Sequence, residues 1–296
     1  GRCAAALALA GRNDAAESLY RLARARPGCV HSVPVRAPYY YAERDYLDDL
    51  EWAATELYIA TRQPEYLEQA LTYARQAGES PIIGQSDPAQ PDRPARHAHY
   101  AFFPYVNLAH WRLYGHAGAD AQRELAGFYR AALERVLRLA DKNPYRLGTP
   151  LVWCSTNDVL AVATQAVLYE RMTGDRRFRP LATECRDWIF GRNPWGVSFV
   201  IGVPAEHSAS RPHHLFHKLK DHLPVGGLVD GPVYKDINDA LKYQAFEADR
   251  LARFQSAAGV YHDFFADFAT NEPIIDGTAS LLLLLHVWPS AARPGG

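Results

Sequence analysis

The stretch Arg44-Asp-Tyr-Leu-Asp-Asp-Leu-Glu-Trp-Ala-Ala-Thr-Glu-Leu-Tyr-Ile-Ala-Thr-Arg-Gln-Pro-Glu-Tyr66 decides the fold class. Leu47, Leu50, Ala54 and Leu57 recur at steps of three and four, which is the period of a helix with one apolar face. Pro64 stands where the first turn of a helix tolerates a residue without an N–H, so a second helix is predicted over Glu65–Ala77 after a short turn. The arrangement returns further on: Leu168-Tyr169 leads through Thr173-Gly-Asp to Phe178, as Leu57-Tyr58 leads through Thr61-Arg-Gln-Pro to Tyr66. Leu113-Tyr114-Gly115 is a weaker third copy. Repeated helix–turn–helix units predict a helical solenoid or a closed α/α toroid.

Outward from this core the helical period continues. It covers Asp14–Arg26, stopped by Pro27-Gly28, and then His97–Tyr114, Ala121–Ala140, Phe178–Phe190, Tyr243–Ala258 and Thr278–Trp288. Asn157–Met172 follows Ser155-Thr156, two side chains suited to capping a helix start, and Asp276 is suited to cap the last helix. One stretch breaks the pattern. From Arg192 to Asn238 the chain is rich in Gly, Pro and His and has little apolar period, so it is expected to be irregular and to form the lip of a cleft.

A chain of 296 residues with 48% hydrophobic and 22% charged residues can bury a large core, as one big domain or two ordinary ones. Its net charge of -1, from 32 basic and 33 acidic residues, argues against nucleic acid or an anionic membrane as the main partner. Leu281–Leu285 is too short an apolar run to span a bilayer. Cys3, Cys29, Cys154 and Cys185 form no CxxC pair, so a zinc site is not expected, and disulfides are allowed but not required. The first residues, Gly1-Arg-Cys-Ala-Ala-Ala, do not read as a secretory signal, and they open inside a helix-like pattern.

The chemistry is expected in Tyr261-His-Asp-Phe-Phe-Ala-Asp-Phe-Ala-Thr-Asn-Glu-Pro-Ile-Ile-Asp276, where Asp263, Asp267, Glu272 and Asp276 are interleaved with aromatic and apolar side chains. Carboxyls crowded against apolar surface repel one another and are poorly hydrated, and both effects keep an acid protonated toward neutral pH. A protonated carboxyl beside ionised ones is what glycoside hydrolysis requires. The dipole of the following helix acts against this at Glu272, and crowding is expected to win. A capped helix behind a solvated acidic loop is the alternative. The second cluster is Arg211-Pro-His-His-Leu-Phe-His-Lys-Leu-Lys-Asp-His222. His213 and His217 have metal-ligand spacing on a helix, but Pro212 disturbs that helix. Hydrogen bonding to a polar ligand and plain surface histidines are the other readings. Gly191–Gly202 lacks the GxGxxG arrangement, and no HExxH or GxSxG occurs, so nucleotide binding, a zinc protease and a serine elbow are unsupported.

Taken in order, five segments resemble glycoside hydrolase family 9, the inverting cellulase family. They are Asp48–Thr61, the turn Trp153-Cys-Ser-Thr-Asn157, Gly191–Gly202 followed by Pro212-His-His214, Gly226-Gly-Leu-Val-Asp-Gly-Pro232, and Tyr261–Ala279. The resemblance covers nearly the whole chain. It implies an all-α fold, a six-hairpin α/α barrel with a sugar-binding cleft across one end, and one family 9-like catalytic domain over residues 1–296. It implies Glu272 as the general acid, Asp263 in the acidic set that supports it, and His213 as the histidine that hydrogen-bonds the sugar. His214, Tyr261, Phe268 and Trp153 are carried over as substrate-binding residues.

Two departures, Leu215 for the family's Arg after the histidines and Thr278 for its Asn, leave the glucan open. A larger one is that the family's Asp-Ala-Gly-Asp motif, source of its catalytic base, does not occur. The chain is therefore expected to begin partway through the barrel and, alone, to hydrolyse poorly. The function implied is inverting hydrolysis of β-1,4-glucosidic bonds by a secreted or periplasmic endo-glucanase, with a β-glucan polysaccharide or oligosaccharide as partner and no cofactor required. Some members of the family carry calcium, but no EF-hand-like loop is visible here. A non-catalytic carbohydrate-binding helical domain and an exo-acting α/α-barrel glycosidase are the alternatives.

Overall fold

The computed structural model describes residues 1–29, 45–78, 86–96, 105–241 and 247–288. Eleven helices are assigned there: α1 (Arg2–Leu9), α2 (Asn13–Ala25), α3 (Leu47–Thr61), α4 (Pro64–Ala77), α5 (Tyr105–Tyr114), α6 (Ala119–Ala140), α7 (Ser155–Thr173), α8 (Arg179–Ile189), α9 (Leu215–Lys220), α10 (Lys235–Ala240) and α11 (Ile275–Val287). Two antiparallel ribbons, β1 (Ser86–Asp87) with β2 (Gln90–Pro94) and β3 (Leu228–Val229) with β4 (Pro273–Ile274), are the strands assigned among the described residues. The elements divide into two compact units.

The first unit holds α1 to α5, α6 as far as Ala132, and Arg171–Gly174. As the spacing predicts, Leu50, Ala54 and Leu57 are buried and Pro64 opens α4. The helix α3 is more enclosed than one apolar face requires, because Glu51, Thr55 and Glu56 are buried too. The Glu51 carboxylate lies 2.6 Å from His110 Nδ1, and His110 Nε2 lies 2.8 Å from the carbonyl of Gly78. Burial raises the Glu51 carboxyl and pulls His110 down, but the bonds and charge from Glu51 and the Gly78 carbonyl win and hold the ring above the ordinary histidine range. The Glu56 carboxylate takes two bonds from Arg112, at 2.6 and 2.7 Å.

The second unit holds β1 and β2, α6 from Leu133, α7 to Glu170, and the described residues from Asp175 on. Every residue from Ser155 to Glu170 except Glu170 itself is buried, so α7 is enclosed on all sides. Its first turn corrects one expectation. Ser155 and Thr156 do not cap the helix: their hydroxyls donate to the carbonyls of Pro232 (2.7 Å) and Val229 (2.8 Å) and bind α7 to β3 and the segment that follows it. Asp276 likewise lies inside the first turn of α11, whose N-cap position is Ile274.

The helix expected over Tyr243–Ala258 is also corrected. Residues 243–246 lie outside the described residues, and 247–258 hold only a 3-10 turn, Ala252–Phe254. Side chains compete with the helical ladder there. Asp249 accepts from the Leu251 N–H at 2.8 Å, and Gln255 donates to the Tyr261 carbonyl at 2.6 Å and accepts from the Trp195 indole at 2.9 Å. Of His97–Tyr114, residues 97–104 lie outside the described residues, and α5 covers the rest. Arg192–Asn238 is irregular as expected, apart from β3 and the one-and-a-half-turn pieces α9 and α10.

The buried pair in the first unit gives a stability prediction. His110→Ala leaves the Glu51 carboxylate enclosed without its counter-charge, at a cost of roughly 3–5 kcal/mol. Urea unfolding measures it, and a loss below about 1 kcal/mol, the range of a surface pair, contradicts the assignment.

Candidate active site

The expected acidic segment folds around its own carboxylates, and each has a different task. Asp267 is fully buried and turns the chain: Oδ1 accepts from the N–H groups of Ala269 (2.9 Å) and Thr270 (3.0 Å), and Oδ2 accepts from the Thr270 hydroxyl (2.8 Å). His262 Nδ1 lies 2.7 Å from the same Oδ2. Asp263, 2% exposed, accepts from the N–H groups of Ser210 (3.0 Å) and Arg211 (2.9 Å) and from the Ser210 hydroxyl (2.8 Å). The Arg250 guanidinium closes this shell. Asp263 therefore ties the segment leading to His213 onto the segment leading to Glu272.

The ribbon β3–β4 then places Glu272. Leu228 pairs with Ile274 and Val229 with Pro273. The ladder runs on past the strands, with the Asp230 N–H donating to the Glu272 carbonyl (2.9 Å) and the Gly231 N–H to that of Thr270 (3.0 Å). Glu272 is half-buried. Burial raises its carboxyl above the ordinary glutamate range, and the positive charge available to His213 pulls the other way. The sequence expectation of a raised acid agrees in direction; of its two expected causes the poor hydration is present, and crowding by Asp263 and Asp267, which are locked elsewhere, is not.

His213 stands beside the acid. Its N–H donates to the Asn271 carbonyl at 2.9 Å, and its Nδ1 lies 2.6 Å from the Phe265 carbonyl. A carbonyl only accepts, so Nδ1 carries the proton and Nε2 is the acceptor of the neutral ring. The imidazole stacks on Phe265 (centroids 4.9 Å apart) and meets the edge of Phe268 (6.0 Å). Phe268 in turn faces Trp153 at 5.9 Å. Glu272, His213, Phe268 and Trp153 are thus joined in one half-buried group of an acid, an imidazole and two aromatic faces. His214, also half-buried, stands just before α9, its carbonyl accepting the Lys218 N–H at 3.0 Å.

Tyr261 requires a correction. It is 0% exposed, packed on Phe199 at 4.9 Å and Trp195 at 6.2 Å, and its hydroxyl donates to Asn271 Oδ1 at 2.9 Å. A side chain so enclosed supports the floor of the site and does not meet a ligand. Two residues escaped the sequence reading. Asn271 holds the Tyr261 hydroxyl with one end of its amide and the Arg211 carbonyl (2.8 Å) with the other. Asp230 is buried, and its carboxyl takes the Trp153 indole N–H at 3.0 Å and the Cys154 thiol at 3.1 Å. Burial holds that carboxyl well above the ordinary range, the thiol donor opposes, and the charge of Glu272 adds to the rise. The signal for Asp230 was a lone acid inside the apolar, Gly-rich run Gly226–Pro232.

A separate cleft of about 330 Å³, lined by Tyr145, Leu151, Trp195 and Phe254 among others, has no carboxyl in its lining. Among the described residues no group of three or more His, Cys, Asp or Glu is placed to hold a metal ion, and no helix is long and apolar enough to cross a membrane.

Comparison with known proteins bears on the whole arrangement. The family model described as glycosyl hydrolase family 9 matches residues 4–285. A xyloglucan-specific endo-beta-1,4-glucanase of Bacteroides ovatus is 24% identical over 289 residues, which cover 91% of this chain and 45% of that protein. The crystal structure of a metagenome-derived glycoside hydrolase family 9 endoglucanase superposes with a TM-score of 0.70 at 22% identity, over 96% of this chain and 51% of that one. A cellulase of C. cellulolyticium in complex with cellobiose gives 0.58 at 20% identity, over 93% of this chain and 57% of that one. The structural likeness shows the fold, which is all-α and of the α/α-barrel class. The chain spans about half the length of the relatives it matches.

The Tyr261–Asn271 bond is open to a direct test. Asn271→Ala strands a buried hydroxyl and a buried carbonyl and should cost about 1–3 kcal/mol in thermal unfolding. Adding Tyr261→Phe should cost less than it does in the parent, because the hydroxyl has already lost its acceptor. Strict additivity contradicts the pairing.

Proposed function

Since the chain belongs to glycosyl hydrolase family 9, matched over residues 4–285, we propose that it takes part in the inverting hydrolysis of β-1,4-glucosidic bonds in cellulose or a related β-glucan, with Glu272 as general acid. The observation that carries this reading is the half-buried Glu272 carboxyl, raised by burial and set beside His213 and two aromatic faces. Among the described residues no hydrogen bond to the Glu272 carboxyl contributes to its titration. Its charge is thus poorly compensated and its proton is retained until a stronger need arises. A glycosidic oxygen gaining negative charge as its bond to the anomeric carbon breaks is such a need.

In the proposed cycle Phe268 and Trp153 take the apolar faces of the sugar, and His213 Nε2 accepts from a sugar hydroxyl. Glu272 delivers its proton to the leaving oxygen. Inversion also requires a carboxylate that activates water on the opposite face. Asp263 and Asp267 are buried under their own donors, and neither is free to take that part. The base is assigned to the Asp-Ala-Gly-Asp pair of the family, a motif these 296 residues do not contain. Activity is therefore a property to measure on the whole natural protein that carries the chain. The chemistry uses two carboxyls and water and needs no cofactor. A polymeric glucan is met outside the cytoplasm, which supports action in the periplasm or beyond the cell.

One observation favours a second reading, a non-catalytic carbohydrate-binding domain. The aromatic pair and His213 are present while the base motif is not. Calorimetry of the whole protein with cello-oligosaccharides, alongside an assay for new reducing ends, separates the two, since binding without turnover there is the signature of the second.

For the leading reading, Glu272→Gln in the whole protein should lower kcat by about 10²–10⁴, the contribution of a general acid, while leaving glucan binding in place. Retention of activity within tenfold overturns the assignment.

A further inference from the structure

Asp230 stands outside the proposed chemistry, yet it joins the two halves of the site. Its carboxyl oxygens are both engaged, Oδ2 by the Trp153 indole N–H at 3.0 Å and Oδ1 by the Cys154 thiol at 3.1 Å. Its N–H donates to the Glu272 carbonyl at 2.9 Å, and its own carbonyl accepts from the Thr156 N–H at 3.2 Å. One residue thus binds the indole of the aromatic wall, the backbone of the acid and the first turn of α7.

The geometry leaves this residue little freedom. Asp230 is 1% exposed, and the next residue, Gly231, has φ +83 and lies so close to α7 that an added Cβ would fall 2.5 Å from the Thr156 methyl. A buried carboxyl is costly where an apolar side chain would fill the same space. Here its oxygens supply acceptors for two donors of one turn. Either protonation state of the carboxyl leaves an oxygen able to accept the indole N–H. That bond sets the rotation of the Trp153 ring, which Phe268 touches from one side (5.9 Å) before Phe268 reaches His213 (6.0 Å).

We propose that Asp230 is a positioning residue for substrate. By holding the Trp153 indole N–H while its own backbone holds Glu272, it fixes the height and tilt of the aromatic face against which a glucosyl ring stacks beside the acid. The inference rests on the reading of Glu272 as the acid and of Trp153 as a sugar platform. It predicts that loss of the carboxyl weakens glucan binding through Trp153.

The test uses the whole protein in a Glu272→Gln background, which prevents turnover, with cellohexaose as probe and calorimetry as readout. Asp230→Ala should raise Kd at least fivefold. Asp230→Asn, which keeps a carbonyl acceptor for the indole, should recover most of that loss. Trp153→Phe removes the N–H and should weaken binding to a similar degree, and adding Asp230→Ala to it should then change Kd less than twofold. Thermal unfolding of each variant accompanies the series. If Asp230→Ala does not fold, Asp230→Asn against Trp153→Phe carries the test: near-parental binding by Asn with a fivefold loss in Phe supports the proposal, and equal values contradict it. A Kd within twofold of the parent for Asp230→Ala, or independent multiplication of the Ala and Phe effects, overturns it. The acid reading is judged apart, by the kcat of Glu272→Gln in the otherwise unaltered protein.

Discussion

The buried carboxylate of Asp263 is the joint from which the rest of the site hangs. Two backbone N–H groups and a hydroxyl from Ser210 and Arg211 converge on it, and Arg250 adds its charge. Such a shell satisfies a buried carboxylate, because the donors take the place of its water. The bond set fastens the path to His213 onto the path to Glu272, two segments more than fifty residues apart in the chain. Asp267 does the same locally for the turn 267–270. Glu272 gets no comparable shell, and burial then raises its carboxyl. Two kinds of buried acid, one satisfied and one not, are the physical basis of the arrangement.

Around that contrast the aromatic residues fall into two layers. Trp188, Phe199, Trp195 and Tyr261 are enclosed, with Trp188 and Phe199 5.0 Å apart, and they form the floor. Phe265, Phe268, Trp153 and the ring of His213 are half-buried and form the wall. Asn271 passes between the layers, its side chain tied to Tyr261 below and its carbonyl to His213 above. A rigid floor matters because a proton donor a fraction of an ångström out of place loses much of its effect.

Much of this was legible in the sequence, for reasons that differ by residue. Helices α3, α4, α7 and α8 declare themselves because their period is set by what they bury, and Pro64 marks its own position. The raised acid at Glu272 was readable from apolar neighbours. Poor hydration, one of its two expected causes, was readable too; the absence of crowding was not, since a list of nearby carboxylates does not say which of them will find donors, and donors for Asp263 come from residues 210 and 211. Tyr261 looked like a ligand-facing aromatic because sequence carries no depth, and only the packing with Phe199 and Trp195 puts it underneath. Ser155 and Thr156 looked like caps because a hydroxyl at a helix start usually bonds locally, and here carbonyls 73 and 77 residues away compete successfully. The helix expected up to Ala258 fails for a related reason, with Asp249 and Gln255 binding the turn through their side chains. Asp230 lay in a quoted segment, Gly226–Pro232, but with no partner in view, and its meaning depends on the Trp153 indole that its carboxyl binds.

The central claim is that Glu272 keeps its proton because it is half-dehydrated. Direct titration of this carboxyl, by carbon NMR with labelled glutamate and Glu272→Gln to assign the signal, measures it. The account predicts a midpoint above the ordinary glutamate value of about 4.3. It also predicts a matching loss of stability as pH rises from that value through the raised midpoint, absent in the Gln variant, because a carboxyl raised by folding favours the folded state only while protonated. A midpoint at or below the ordinary value, with no such difference between parent and variant, would contradict it.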